Sequence, residues 1–162
     1  MRTYPRSTFA DGGFSVAIPD GDSITKASDG VVVHFGDYGD AALLGTPAKN
    51  RTPRQVVEDY LKEHFPDASI DYEIPNAMVG YEPGYGEIDD LYPTNPNANF
   101  QHERVLVMAS IKNGLALIAA ANGPFEDIPP RVIGHPSGVN FRVAFWIGYY
   151  VNSFTWRGDP ER

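Results

Sequence analysis

The groups best placed for chemistry lie between Gly80 and Tyr92. Three glycines and Pro83 interleave there with Tyr81, Tyr85 and Tyr92, and the acids Glu82, Glu87, Asp89 and Asp90 stand among them. Tyrosine offers a large contact area at little entropic cost and keeps a polar tip, and glycine between aromatics lets a partner's backbone come close. The pattern points to recognition by contact. Tyr81, Glu82, Pro83, Tyr85, Glu87 and Tyr92 would form an aromatic ledge that takes a protein partner or an amphiphilic small molecule. The structural alternative is a glycine-bent hairpin whose tyrosines cover a sheet. Glu87, Asp89 and Asp90 read as a solvated acidic turn. With Glu82 they match no calcium-loop spacing, and no second carboxylate for a glycosidase pair can be placed.

Other reactive constellations find little support. The chain has no cysteine, which excludes disulfides, thiolate metal sites and thiol nucleophiles. The nucleophile elbow GxSxG, the phosphate loop and the HExxH zinc pattern are absent, since His102-Glu103 lacks a second histidine four positions on. His34, His64, His102 and His135 are far apart in sequence. The reading is therefore a non-catalytic domain with no cofactor and no metal. One rival is a hydrolase whose site joins His135 or His102 to the Asp89 and Asp90 carboxylates. Arg157-Gly158-Asp159 reads as a tie for the C-terminus beside a buried Trp156.

Charge narrows the partners. Thirteen Lys/Arg against twenty-one Asp/Glu give a net charge of −8, which repels phosphate backbones and anionic lipid, and no basic run offsets it locally. Nucleic acid is excluded as a partner class on this ground. At 162 residues with 42% hydrophobic side chains, the chain can bury a sizeable core in one domain. No eighteen apolar residues run together, so no membrane-spanning helix is expected.

The elements that must position these groups follow from periodicity and turn chemistry. A polar, flexible lead over 1–13 precedes a single domain over 14–162. Phe14–Ile18, Val31–Phe35 and Ala41–Gly45 read as strands of a meander. Thr52, Pro53 and Gln55 predict a capped helix start, Val56, Val57, Tyr60, Leu61 and Phe65 its buried stripe, and Pro66 its end. Ile70–Ile74 and Ala77–Tyr81 are further strand candidates. Arg104–Ile111 and Leu115–Ala121 flank Asn113-Gly114 and predict a hairpin apolar on both faces, hence covered on both. Val139–Trp156 reads as a buried C-terminal helix. A third reading makes the chain a structural subunit that packs on a neighbour through this helix. The sum is an α+β fold, an antiparallel sheet of about six or seven strands with helices on both faces.

The Phe14–Pro19 strand, the Thr52-Pro53 helix after a hairpin, the central hairpin and the ending Asn152-Ser153-Phe154 together resemble the PsbP-like superfamily over most of the chain. Ile74–Ala77, Gly80–Gly86 and Trp156–Pro160 are similar to segments of actinobacterial envelope proteins related to the LpqN-type lipoproteins. The resemblance implies an α/β/α sandwich, a non-enzymatic adaptor or ligand-carrying role, and a place outside the cytoplasmic membrane. The domain would be the soluble part of a longer or anchored protein, able to associate with a membrane protein through a tether not in this chain. A cytoplasmic location is the alternative. The chain lacks a lipobox cysteine, and the photosystem subunit's functional residues match no positions in it.

Overall fold

A computed structural model describes residues 5–18, 23–92, 102–124 and 150–159. Among the described residues there are eleven strands: β1 (Arg6–Phe9), β2 (Phe14–Ala17), β3 (Ile24–Lys26), β4 (Gly30–His34), β5 (Asp40–Pro47), β6 (Ser69–Glu73), β7 (Met78–Val79), β8 (Glu82–Leu91), β9 (Glu103–Lys112), β10 (Leu115–Pro124) and β11 (Thr155–Trp156). Helix α1 spans Pro53–His64. Seven strands run in the order β3-β4-β5-β10-β9-β8-β6, and β7 pairs with the start of β8 as the eighth member of that sheet. All pairings are antiparallel. This is the expected α+β class, with a sheet one strand wider than the six or seven expected.

The Asn113-Gly114 hairpin is the centre of this sheet. Both residues have positive φ, 52° and 77°, as a two-residue hairpin turn requires. Its double-sided apolar pattern divides between two cores. Val105, Val107, Ala109, Ala116, Ile118 and Ala120 pack under α1 with Val56, Val57 and Leu61. Leu106, Leu117, Ala119 and Ala121 face the other way, against Phe9, Phe14, Val16, Ile18, Tyr150, Val151, Phe154 and Trp156. Each large apolar side chain so buried contributes about 1.5–3 kcal/mol.

Helix α1 forms for the reasons its sequence announces. The Thr52 hydroxyl accepts from the Gln55 amide at 3.2 Å, and the Gln55 side chain accepts from the Thr52 amide at 2.9 Å. Pro53 sits at the first helical position, where its missing N–H has no consequence.

Three expectations need correction. Residues 6–9 of the polar lead are not loose, since β1 pairs with β2 and Phe9 is buried. A second sheet, β1-β2-β11, is also present and was not foreseen. Short strands of this kind carry too little periodicity to be seen alone. The expected helix Val139–Trp156 does not reach its expected end, because only 150–153 are helical among its described residues and Thr155–Trp156 pair with β2. Its residues 139–149 lie outside the described residues. On the second face, therefore, the described cover is a three-stranded sheet and the helical residues 150–153. The layers meet closely at Gly45, where a Cβ would overlap the Gly12 carbonyl oxygen.

Candidate functional site

Strand β8 carries the residues singled out from sequence. A sharp turn introduces it: Gly80 and Tyr81 both have positive φ, 58° and 65°, between the paired Val79 and Glu82. The turn is anchored from behind. Ser110 Oγ accepts from the Val79 amide at 3.1 Å and donates to the Glu82 carbonyl at 2.6 Å, while Trp156 Nε1 donates to the Gly80 carbonyl at 3.3 Å. Tyr81 is thereby held at a hairpin tip with 56% of its surface exposed.

Beyond the turn, β8 alternates. Tyr85, Glu87 and Asp89 lie opposite Ala109, Val107 and Val105 on the α1 face, and Ile88 and Asp90 lie opposite Leu106 and Arg104 on the other. The six expected ledge residues therefore do not form one surface. Tyr81 and Tyr92 flank a ten-residue strand that by strand rise is itself about 30 Å long. Pro83 and Tyr85 line a cavity of about 610 Å³ with Ile74, Asn76 and Met78. Glu82 is half-buried, with its carbonyl bound by Ser110. Tyr92 stacks on His102, ring centres 4.4 Å apart.

The expected solvated acidic turn is overturned outright. Glu87 and Asp89 are strand residues, 5% and 3% exposed, because α1 lies over that face and apolar β9 lies beside them. Two carboxylates so close and so dry cannot both ionise freely. Burial first, then the hydrogen bond and charge of Glu87, then the charge of Asp90, push the Asp89 carboxyl up to about 8. Asp89 Oδ1 is buried with no hydrogen-bond partner among the described residues. The Tyr85 hydroxyl donates to Glu87 Oε1 at 3.1 Å, and burial together with Glu87 pushes that phenol up to about 12. The pair floors a groove of about 330 Å³ between α1 and β6, walled by Leu61, Phe65, Pro66 and Ile70. Arg54 stands at its rim, 3.0 Å from Glu58, 3.4 Å from Glu73 and 5.3 Å above the Tyr85 ring.

On the opposite flank of α1 a second groove, of about 530 Å³, runs over β3, β4 and β5. Its floor is apolar, Val32, Ala42, Leu44 and Ile118, and Tyr60 and His64 of α1 form its wall.

The His and carboxylate pairing considered for a hydrolase is partly present. His102 Nε2 is 2.7 Å from Asp90 Oδ1, but Arg104 Nε also reaches that oxygen at 2.9 Å, and Arg104 binds Asp71 at 2.7 Å. Asp89 points to the other face and takes no part in this network. His135 lies outside the described residues. His34 pairs with Asp40 at 2.7 Å, and His64 packs on Tyr60. Among the described residues, no group of three or more His, Asp or Glu is arranged to hold a metal. Asp159 binds Lys112 at 2.9 Å and Arg157 reaches the Ala10 carbonyl, so this tripeptide ties down the chain around the buried Trp156.

What sequence reasoning missed was the acid pair. Its signal was present as Glu87-x-Asp89 at strand spacing opposite the apolar run Val105–Ala109, and strand alternation would have placed both carboxylates under the helix.

No family model matches the chain, and no curated protein matches it. Among solved structures it resembles the yeast (Saccharomyces cerevisiae) Ran-binding protein Mog1p, with a TM-score of 0.54 at 7% identity over 97% of each chain. It also resembles a Bacteroides thetaiotaomicron protein, with a TM-score of 0.51 at 12% identity. That match covers 100% of this chain and 51% of the Bacteroides chain, so the present chain spans about half that protein's length. At these identities the likeness is one of fold.

Proposed function

We propose that this protein is a non-catalytic binding module and that a protein partner docks along the β6–β8 margin of its sheet. One observation carries the proposal. The large apolar side chains left exposed among the described residues are Ile70, Met78, Tyr81 and Tyr92, at 52%, 41%, 56% and 57%; Ile70, Met78 and Tyr81 stand on β6, on β7 and at the turn that opens β8, and Tyr92 follows the far end of β8. Single exposed apolar residues are ordinary, whereas their confinement to one edge marks a contact surface. Tyr81 is held by an anchored turn, which lowers the entropic cost of using it as a contact. The fold shared with a Ran-binding protein is in keeping with such a role. Kinship with the PsbP-like proteins, their α/β/α sandwich and a setting in the cell envelope complete the proposal.

The test uses a photo-crosslinking amino acid at position 81 and, as control, at Asp37 on the far side of the sheet. A discrete adduct from position 81 alone is expected. The partner identified from it should then bind the purified chain, and the triple variant Ile70→Ser, Met78→Ser, Tyr81→Ala should weaken that binding at least tenfold while leaving the circular dichroism unchanged. Undiminished affinity of the triple variant would overturn the assignment of this margin.

A further inference from the structure

The groove beside α1 combines features suited to one kind of side chain. Its walls carry the apolar Leu61, Phe65, Pro66, Ala68 and Ile70 beside the charged Arg54, Glu58 and Lys62 of α1, and its floor is the Glu87–Asp89 pair. An amphipathic cation matches this arrangement, its methylene stem lying along the walls and its charged head on the acids. Asp89 lines the groove and is nine-tenths buried, and its Oδ1 accepts no hydrogen bond from the described residues. A buried acceptor left without a donor is unfavourable by about 1–3 kcal/mol, and a donor arriving through the groove would remove that cost. Arg54 does not supply it, being engaged at the rim by Glu58, Glu73 and the Tyr85 ring.

We propose that the groove receives one arginine side chain of the docked partner, whose guanidinium bridges Glu87 and Asp89. Arginine fits better than lysine because its planar fork can meet two neighbouring carboxylates at once. This inference rests on the docking margin proposed above, since Ile70 is both a wall of the groove and a member of that margin.

Proton displacement makes the binding depend on pH. The charged and titratable groups around the pair are Arg54, Glu58 and Lys62 from α1, Glu73 and Asp71 from β6, and Tyr85 and Asp90 from β8, while β9 presents Val105 and Val107. Asp89 is the one of these carboxyls held up to about 8. Below that pH, each guanidinium bound must expel a proton, so affinity should rise about tenfold per pH unit from 6 to 7.5 and level off above 8.

The probe is N-acetyl-arginine amide, titrated into the intact chain while the methyl resonances of Leu61, Ile70 and Val107 are followed by NMR. Shifts at these three residues, with affinity at least tenfold greater at pH 8.5 than at pH 6, are the expected result. Asp89→Asn and Glu87→Gln should each abolish the response, and both variants should fold because the amide matches the carboxyl in shape and can never carry a charge in this dry site. No response at these methyls, equal affinity at the two pH values, or an unaltered response in Asp89→Asn would overturn the inference. The two proposals fail separately. A partner captured by position 81 and indifferent to Asp89→Asn would remove the arginine site alone, and a working arginine site with a partner indifferent to the triple variant would remove the docking margin alone.

Discussion

Helix α1 lies along one face of the sheet, and the grooves on its two sides are floored by opposite chemistry. Over β3–β5 the floor is Val32, Ala42, Leu44 and Ile118, side chains that lose nothing by being partly dry. Over β8 and β6 the floor is Glu87 and Asp89, which lose hydration and repel one another. The same helix and the same kind of antiparallel pairing produced both, so backbone architecture does not account for the acids. An apolar pair at positions 87 and 89 would satisfy the fold at least as well. Buried carboxylates with shifted protonation concentrate at functional sites, which is why the acid flank, and not the larger apolar one, is where a ligand is sought.

The comparison can be broken most directly at Asp89. Between about pH 4 and pH 8 the folded chain keeps a proton on a carboxyl that the unfolded chain has already ionised, since its folded value is raised to about 8. The folded state binds more protons in that window, so stability is lost as pH rises through it. Asp89→Asn should remove this loss and raise stability at pH 8 by a few kcal/mol, because each tenfold difference in proton affinity between the folded and unfolded chain is worth about 1.4 kcal/mol. Urea midpoints of the two proteins should converge toward pH 4, and parallel pH curves would show that the acid flank carries no such burden. Leu44→Ala, on the apolar flank, should cost about 1–2 kcal/mol, below the range for a fully buried leucine because Leu44 is only partly buried. That loss should be the same at every pH.

Thr52→Ala acts on the wall common to both grooves. Loss of the cap should cost about 1 kcal/mol and shift the whole stability profile downward without changing its slope. The smallest effect is expected for Arg54→Ala. Its guanidinium is occupied at the rim by Glu58 and Glu73, so the pH dependence of stability should persist in the variant. A flattened profile would mean that Arg54 governs the pair after all.

How far each region could be read in advance depended on how local its determinants were. Thr52, Pro53 and Gln55 act within one helical turn, and the capping box forms as they dictate. Asn113-Gly114 needs only positive φ at adjacent residues, and the hairpin follows. The stretch 80–92 misled because glycines and acids are common in turns, whereas here only Gly80-Tyr81 turns and Glu82–Leu91 continue as strand. Eight successive residues, Gly84–Leu91, are held extended by pairing with β9, a partner remote in sequence. That extension disperses the tyrosines, leaving Tyr81 and Tyr92 at opposite ends of β8.

Local order in the chain was enough to establish the helix start, the central hairpin with its two apolar faces and the α+β class, because capping, turn geometry and alternation operate between near neighbours. Burial of Glu87 and Asp89, the second sheet and the separation of Tyr81 from Tyr92 depended on which strands meet and where α1 comes to rest. Those are contacts between distant segments. A carboxylate's protonation responds to the water excluded around it and to the charges beside it, and both were set when the layers closed.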